Sequence, residues 1–180
     1  MQAMLKSVRA ALCLSLCLAP VWCATLELLS LNDLISKSSA IVQGQVTGSS
    51  ASYSGSVIYT HYKVKVIQQW KGSSQGVIDV MVPGGTANGN RQFYPGAPQL
   101  ATGQQYVLFL WTSSKGAVST LGFTQGVFNL LTDGSGNVTV SQMPTTETML
   151  APGTGQAVNN RPIGMPLTQL VSLIAAGVAQ

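Results

Sequence analysis

Residues 57 to 67, VIYTHYKVKVI, alternate with a period of two. Ile58, Thr60, Tyr62, Val64 and Val66 fall on one face of an extended chain. Val57, Tyr59, His61, Lys63, Lys65 and Ile67 fall on the other. β-branched and aromatic residues in this pattern specify a strand with one core face and one more polar face. A chain built around such a strand needs a sheet to receive it.

The neighbouring segments supply that sheet. AIVQGQVTG (40–48) reads as a strand, and GVIDVMV follows the turn KGSSQ. QQYVLFLW is an almost unbroken apolar run, which predicts a strand buried on both faces. AVSTLGFTQGVFNLLT and NVTVSQ supply the last strands, joined by the hairpin turn DGSG. The stretch 83–103 is punctuated by Gly and Pro and reads as a long irregular excursion, and 145–164 reads as loop. Two helices frame the strands. In SLNDLISKSSA, Ser30 is placed as N-cap with Asp33 completing a capping box, and Leu31, Leu34 and Ile35 form one stripe. In the closing segment Pro166 sits near the first turn, with Leu167, Leu170, Val171, Ile174 and Val178 on one face. Five to seven strands, glycine turns and no β-α-β alternation predict a mainly β fold: a small closed or partly open OB-like β-barrel with a short N-terminal helix and a C-terminal helix.

The cysteines say how that barrel must be held. All three, Cys13, Cys17 and Cys23, lie in a stretch with a cationic start (Lys6, Arg9) and a short apolar run, the pattern of a secretory signal peptide over 1–23. Residues 24–180 are then one cysteine-free domain, secreted or periplasmic, stabilised by its hydrophobic core without disulfides or thiolate metal sites. Without Lys6 and Arg9, seven cations face five acids. Lys63, Lys65 and Lys71 are the nearest approach to a cluster and read as a solubilising face, so no nucleic-acid partner is expected. Gln169 and Ser172 interrupt the last apolar segment, so no membrane span is expected after the leader.

Few side chains here can do chemistry. His61 is the single histidine and the acids are Glu27, Asp33, Asp79, Asp133 and Glu147. Asp33 is assigned to capping and Asp133 to a turn, and His61 is expected beside lysines on the polar face with no converging partner. GSSQG (72–76) matches the G-x-S-x-G pattern of serine hydrolases but joins two strands, whereas that motif works on a strand-to-helix elbow. NVT (137–139) fits the N-glycosylation pattern by chance, and PGG (83–85) is either an anion-binding nest or a tight strand exit.

The runs LNDLISKSSAIVQGQVTG, IYTHYKVKVIQQWKG, VIDVMVPGG and GAPQLATGQQYVLFLW, with GFTQGVFNLL, resemble a set of uncharacterised secreted bacterial proteins over residues 30 to 130. That set carries no associated reaction. More distantly, Val42 to Val46, Tyr62 to Val66 and Lys71-Gly72 resemble the netrin-like domain of tissue inhibitors of metalloproteinases. This likeness implies an OB-type barrel. It does not imply inhibition, since those inhibitors use a mature N-terminal cysteine and a cut before Cys23 would need Trp22 at the cleavage position.

The expected function is a non-catalytic, cofactor-free binding or interaction module for an unknown protein or polymer ligand. Arg91, Phe93, Tyr94 and Trp111 are its candidate contact residues, because Arg and aromatic side chains carry binding energy disproportionately. The alternatives are a hydrolase using a serine, His61 and Asp79, and a protease inhibitor or accessory protein that inserts a loop.

Overall fold

The computed structural model describes residues 25–179; the leader read over 1–23 lies outside the described residues. In chain order the elements are β1 (Thr25–Glu27), α1 (Leu31–Lys37), β2 (Ala40–Ser54), β3 (Val57–Lys71), β4 (Val77–Pro83), β5 (Gly85–Ala87) and β6 (Asn90–Gln92). They continue with β7 (Gln105–Thr112), β8 (Val118–Thr120), a 3-10 turn (Phe123–Gly126), β9 (Val127–Thr132), β10 (Val138–Gln142), β11 (Thr148–Leu150), β12 (Ala157–Val158), β13 (Gly164–Pro166) and α2 (Leu167–Val178).

The five to seven expected strands become thirteen among the described residues. The additions are short. Segment 145–164, expected as loop, contributes β11 and β12 and runs into β13, and the excursion after Pro83 contains the β5–β6 hairpin. Two- and three-residue strands show no period, so propensity has nothing to sum.

Strands β2, β3 and β4 pair antiparallel in succession, β4 meets β8 in parallel, and β8 pairs with β7, which returns to β2. These five strands close the OB-like barrel that the pattern predicts. The β4–β8 seam is the weak point, with Val80 opposite Val118 as its one recorded register pair. Strand β7 is shared: Tyr106–Leu108 pair with β9, and Leu110–Thr112 pair with β8. The sheet therefore runs out of the barrel through β9, β10 and β13.

This sharing explains the unbroken apolar run. Tyr106, Leu108 and Leu110 point into the barrel core with Val42, Val46, Val64 and Val80. Val107 and Phe109 point the other way, into a second core with Ile41, Phe128, Val140 and the helix residues Leu34, Ile35, Leu170 and Ile174. From Tyr106 to Leu110 each face of the strand has its own apolar partner, and the polar Gln105 and Thr112 are exposed at its two ends.

The helices cover this second core. Ser30 and Asp33 form the predicted capping box, and Leu34 and Ile35 are buried. Helix α2 buries Leu170 and Ile174, while Val178, read onto the same stripe, is 42% exposed where the helix ends. Pro166 stands next to the first turn, as expected, in the N-cap position, where its extended backbone also completes β13. No helix among the described residues is long and apolar enough to cross a membrane.

Candidate functional site

The β3 alternation holds. Ile58, Tyr62 and Val64 are buried, and Lys63, Lys65 and Ile67 are exposed. Register then decides which outward side chains meet. On β4, Met81 lies opposite His61 and Asp79 opposite Lys63; on β2, Ser50 lies opposite His61. Asp79 is thus one diagonal step from the ring. Its Oδ2 lies 3.0 Å from His61 Nδ1 and 3.3 Å from Lys63 Nζ. The expectation of a histidine without a converging partner is corrected: alternation assigns a face, but the cross-strand neighbour comes only from register. A carboxylate only accepts, so in this contact Nδ1 is the donor. The other carboxylate oxygen, Oδ1, is buried and has no hydrogen-bond partner among the described residues.

The GSSQG serines are elsewhere. They occupy the connection between β3 and β4, beyond the Lys65–Val77 pair, whereas His61 lies toward the opposite end of that ladder. No serine hydroxyl is hydrogen-bonded to His61 among the described residues, and no cluster of three or more His, Cys, Asp or Glu surrounds it.

The strand exit at Pro83 builds a cavity. Gly84 and Gly85 have φ of 101° and 130°, which only glycine adopts without strain, and they turn the chain back over β3. The Gly84 N–H donates to Ile58 O at 2.7 Å, and the Thr60 hydroxyl donates to Gly84 O at 2.7 Å. The first amide of the PGG segment is therefore committed to the fold and not offered to an anion. Asn88 (φ 50°) and Gly89 (φ 76°) make the tight turn between β5 and β6. Gln92 then clamps the hairpin, accepting from Ile58 N at 2.7 Å and donating to Ser56 O at 2.8 Å.

Arg91, Phe93 and Tyr94 follow from that clamp and line one cavity of about 320 Å³ with Tyr62, Thr60 and Gln99. Among the described residues, Arg91 is the one charged residue in its lining. Phe93 is 69% exposed, while Tyr94 is half-buried. Burial pushes the Tyr62 phenol above its ordinary value, a hydrogen bond with the Leu100 backbone partly offsetting this.

Trp111 is not in that cavity. It stands in a second, more apolar groove of about 460 Å³ with Tyr59, Met81, Ser119 and Phe123. The two sites share Pro83 as a wall. Three of the four sequence candidates are brought together, and the fourth lies next door. Sequence reasoning missed Tyr59 and Met81, whose outward alternation on β3 and β4 was the available signal.

No family model, curated protein or solved structure matches the chain.

Proposed function

We propose that this is an exported binding module, secreted or periplasmic, whose ligand contacts lie in the cavity bounded by the loop after β4. The carrying observation is that Arg91, Phe93 and Tyr94, from one short segment, line one cavity on a hairpin held by Gln92. Exposed aromatic surface beside a concavity is a common mark of an interaction site. Among the described residues the lining has one cation and no carboxylate, which favours a ligand presenting an anionic or hydrogen-bond-accepting group. The test is capture from native culture supernatant on immobilised protein, compared with the double variant Arg91→Ala, Phe93→Ala. A species retained by the parent and lost by the variant, with unchanged circular dichroism, supports the reading. Equal retention by both refutes it.

A hydrolytic reading is favoured by one observation, the 3.0 Å contact between His61 and Asp79, which orients the imidazole as a general base requires. Turnover of activated esters that disappears in His61→Gln would support it. Turnover equal in parent and variant, or none at all, would exclude it.

A further inference from the structure

We propose that the groove around Trp111 binds a small anionic amphiphile of the medium-chain fatty-acid class, its apolar body in the groove and its carboxylate at the unpaired cations of the adjoining surface, Lys115 and Lys65. Trp111 directly follows the buried run Tyr106–Leu110 and is nevertheless 47% exposed. It faces Ser119 across the β7–β8 ladder, and small Ser119 and Ala117 leave open the space that a larger residue would fill. Phe123 completes the wall from a left-handed backbone (φ 59°), a conformation that bulky residues rarely hold. Strain of that kind gathers where a side chain must be aimed. The groove, about 460 Å³, lies in the range of small-molecule sites, roughly 300–1,000 Å³, and no charged residue lines it among the described residues.

The charge lies at its edge. Along β3, His61 follows Tyr59 on the same face and stands opposite Met81, two residues that line the groove. Lys63 and Lys65 continue that row, and Lys115 sits in the loop between the groove residues Ser113 and Ala117. Asp79 on this face is shared between His61 and Lys63, so that acid and Lys63 are both already paired. Lys65 and Lys115 make no ion pair among the described residues. An uncharged interior with a cationic edge is complementary to an apolar molecule carrying one negative end. A nucleic acid fits less well, since its phosphates need a row of cations along the groove, not at its edge.

The inference uses other residues than the cavity at Arg91, with Pro83 alone in common, so either can fail without the other. The probes are decanoate, decanol and a short oligothymidine, titrated into the protein by calorimetry below the micellar range. Decanoate is expected to bind saturably, with decanol and the oligonucleotide weaker. Replacing Lys65 and Lys115, the two unpaired cations, together by Gln should weaken decanoate by roughly three- to tenfold, the scale of two exposed ion pairs, and leave decanol unchanged. Trp111→Ala should weaken both amphiphiles; Ser119→Phe, which fills the groove from the facing strand, should do the same should Trp111→Ala fold poorly. Arg91→Ala should change neither. The proposal is overturned by absence of decanoate binding, by equal affinity for decanol, by preference for the oligonucleotide, or by binding that follows Arg91 instead of Trp111.

Discussion

Asp79 accepts from His61 diagonally across the β3–β4 ladder, Oδ2 to Nδ1 at 3.0 Å, and the same oxygen meets Lys63 at 3.3 Å. The side chains of His61 and Asp79 are 23% and 40% exposed, so water screens the pair substantially. Such pairs contribute about 0–1 kcal/mol. Asp79→Asn should therefore shift the free energy of urea unfolding by less than about 1 kcal/mol. The same change should alter the imidazole tautomer seen in its ring nitrogen chemical shifts, because Asn no longer offers a charged acceptor to Nδ1. A large loss of stability with an unaltered tautomer would show that Asp79 serves the fold and not the ring.

The start of α1 carries the clearest acid sensitivity. Lys37 beside Asp33, with the side chain and backbone of Ser30, holds the Asp33 carboxyl at about 2, below its ordinary 3.8. A carboxyl depressed in the folded state adds stability above its unfolded value. That contribution fades as pH falls from about 4 through about 2. Asp33→Asn should flatten the acid limb of the stability curve in that window while leaving its neutral-to-basic limb parallel. Ser30→Ala should cost about 0.5–2 kcal/mol, the usual penalty for a lost N-cap. Thermal melts of both variants from pH 2 to 7 test these two outcomes.

What was legible in the sequence followed from periodicity and from local hydrogen bonding. Ser30 and Asp33 signal a helix start because the capping partners are three residues apart, and the β3 faces follow from alternation alone. What was hidden depends on pairing between distant segments. Nothing in residues 57–67 says that Asp79 arrives one diagonal from His61, or that β7 divides its free edge between β8 and β9. The β5–β6 hairpin was partly readable, since Asn88-Gly89 is a strong tight-turn dipeptide. Its flanks, Thr86 and Ala87 on one side and Asn90 and Arg91 on the other, lack the apolar alternation that would have promoted it. Lys71 was read as one cation of a solubilising face, but it is committed to α1.

The second core should be the more sensitive to truncation. Phe109 and Phe128 are both fully buried, with ring centroids 5.4 Å apart and planes tilted by 49°. Phe109→Ala leaves a void between the sheet and both helices and should cost about 3–5 kcal/mol. Phe93→Ala, at a residue 69% exposed, should stay within about 0.5 kcal/mol. Denaturant titrations of the two variants compare them directly. A similar loss in both would mean that Phe93 has a structural role at the cavity rim.

Gly85 makes a test of the cavity wall. Its φ is 130°, and a Cβ there would fall on Thr60 Oγ1 and come within 3.3 Å of the Ala51 side chain. Thr60 Oγ1 is also the donor that holds Gly84 O. Gly85→Ala should destabilise by more than about 1 kcal/mol through strain and the displaced hydroxyl. Its amide resonances from Gly84 to Gln92 should move more than those of β9 and β10. Small, evenly spread shifts would show that the strand exit adapts freely.

Lys71 ties the end of β3 to the end of α1. Its ammonium donates to Ile35 O at 2.7 Å and to Ser36 O at 2.9 Å, carbonyls in the last turn of a seven-residue helix. A cation placed there satisfies acceptors that the helix cannot and opposes the negative end of its dipole. Lys71→Met keeps much of the aliphatic stem but removes both bonds, and should cost about 0.3–1 kcal/mol in dilute buffer. Salt screens the charge component of this interaction, so the difference between parent and variant should shrink in high salt. Urea unfolding at low and high ionic strength measures both quantities. A difference that does not respond to salt would assign the loss to the two unsatisfied carbonyls alone, and no difference at all would mean that water replaces the ammonium without cost.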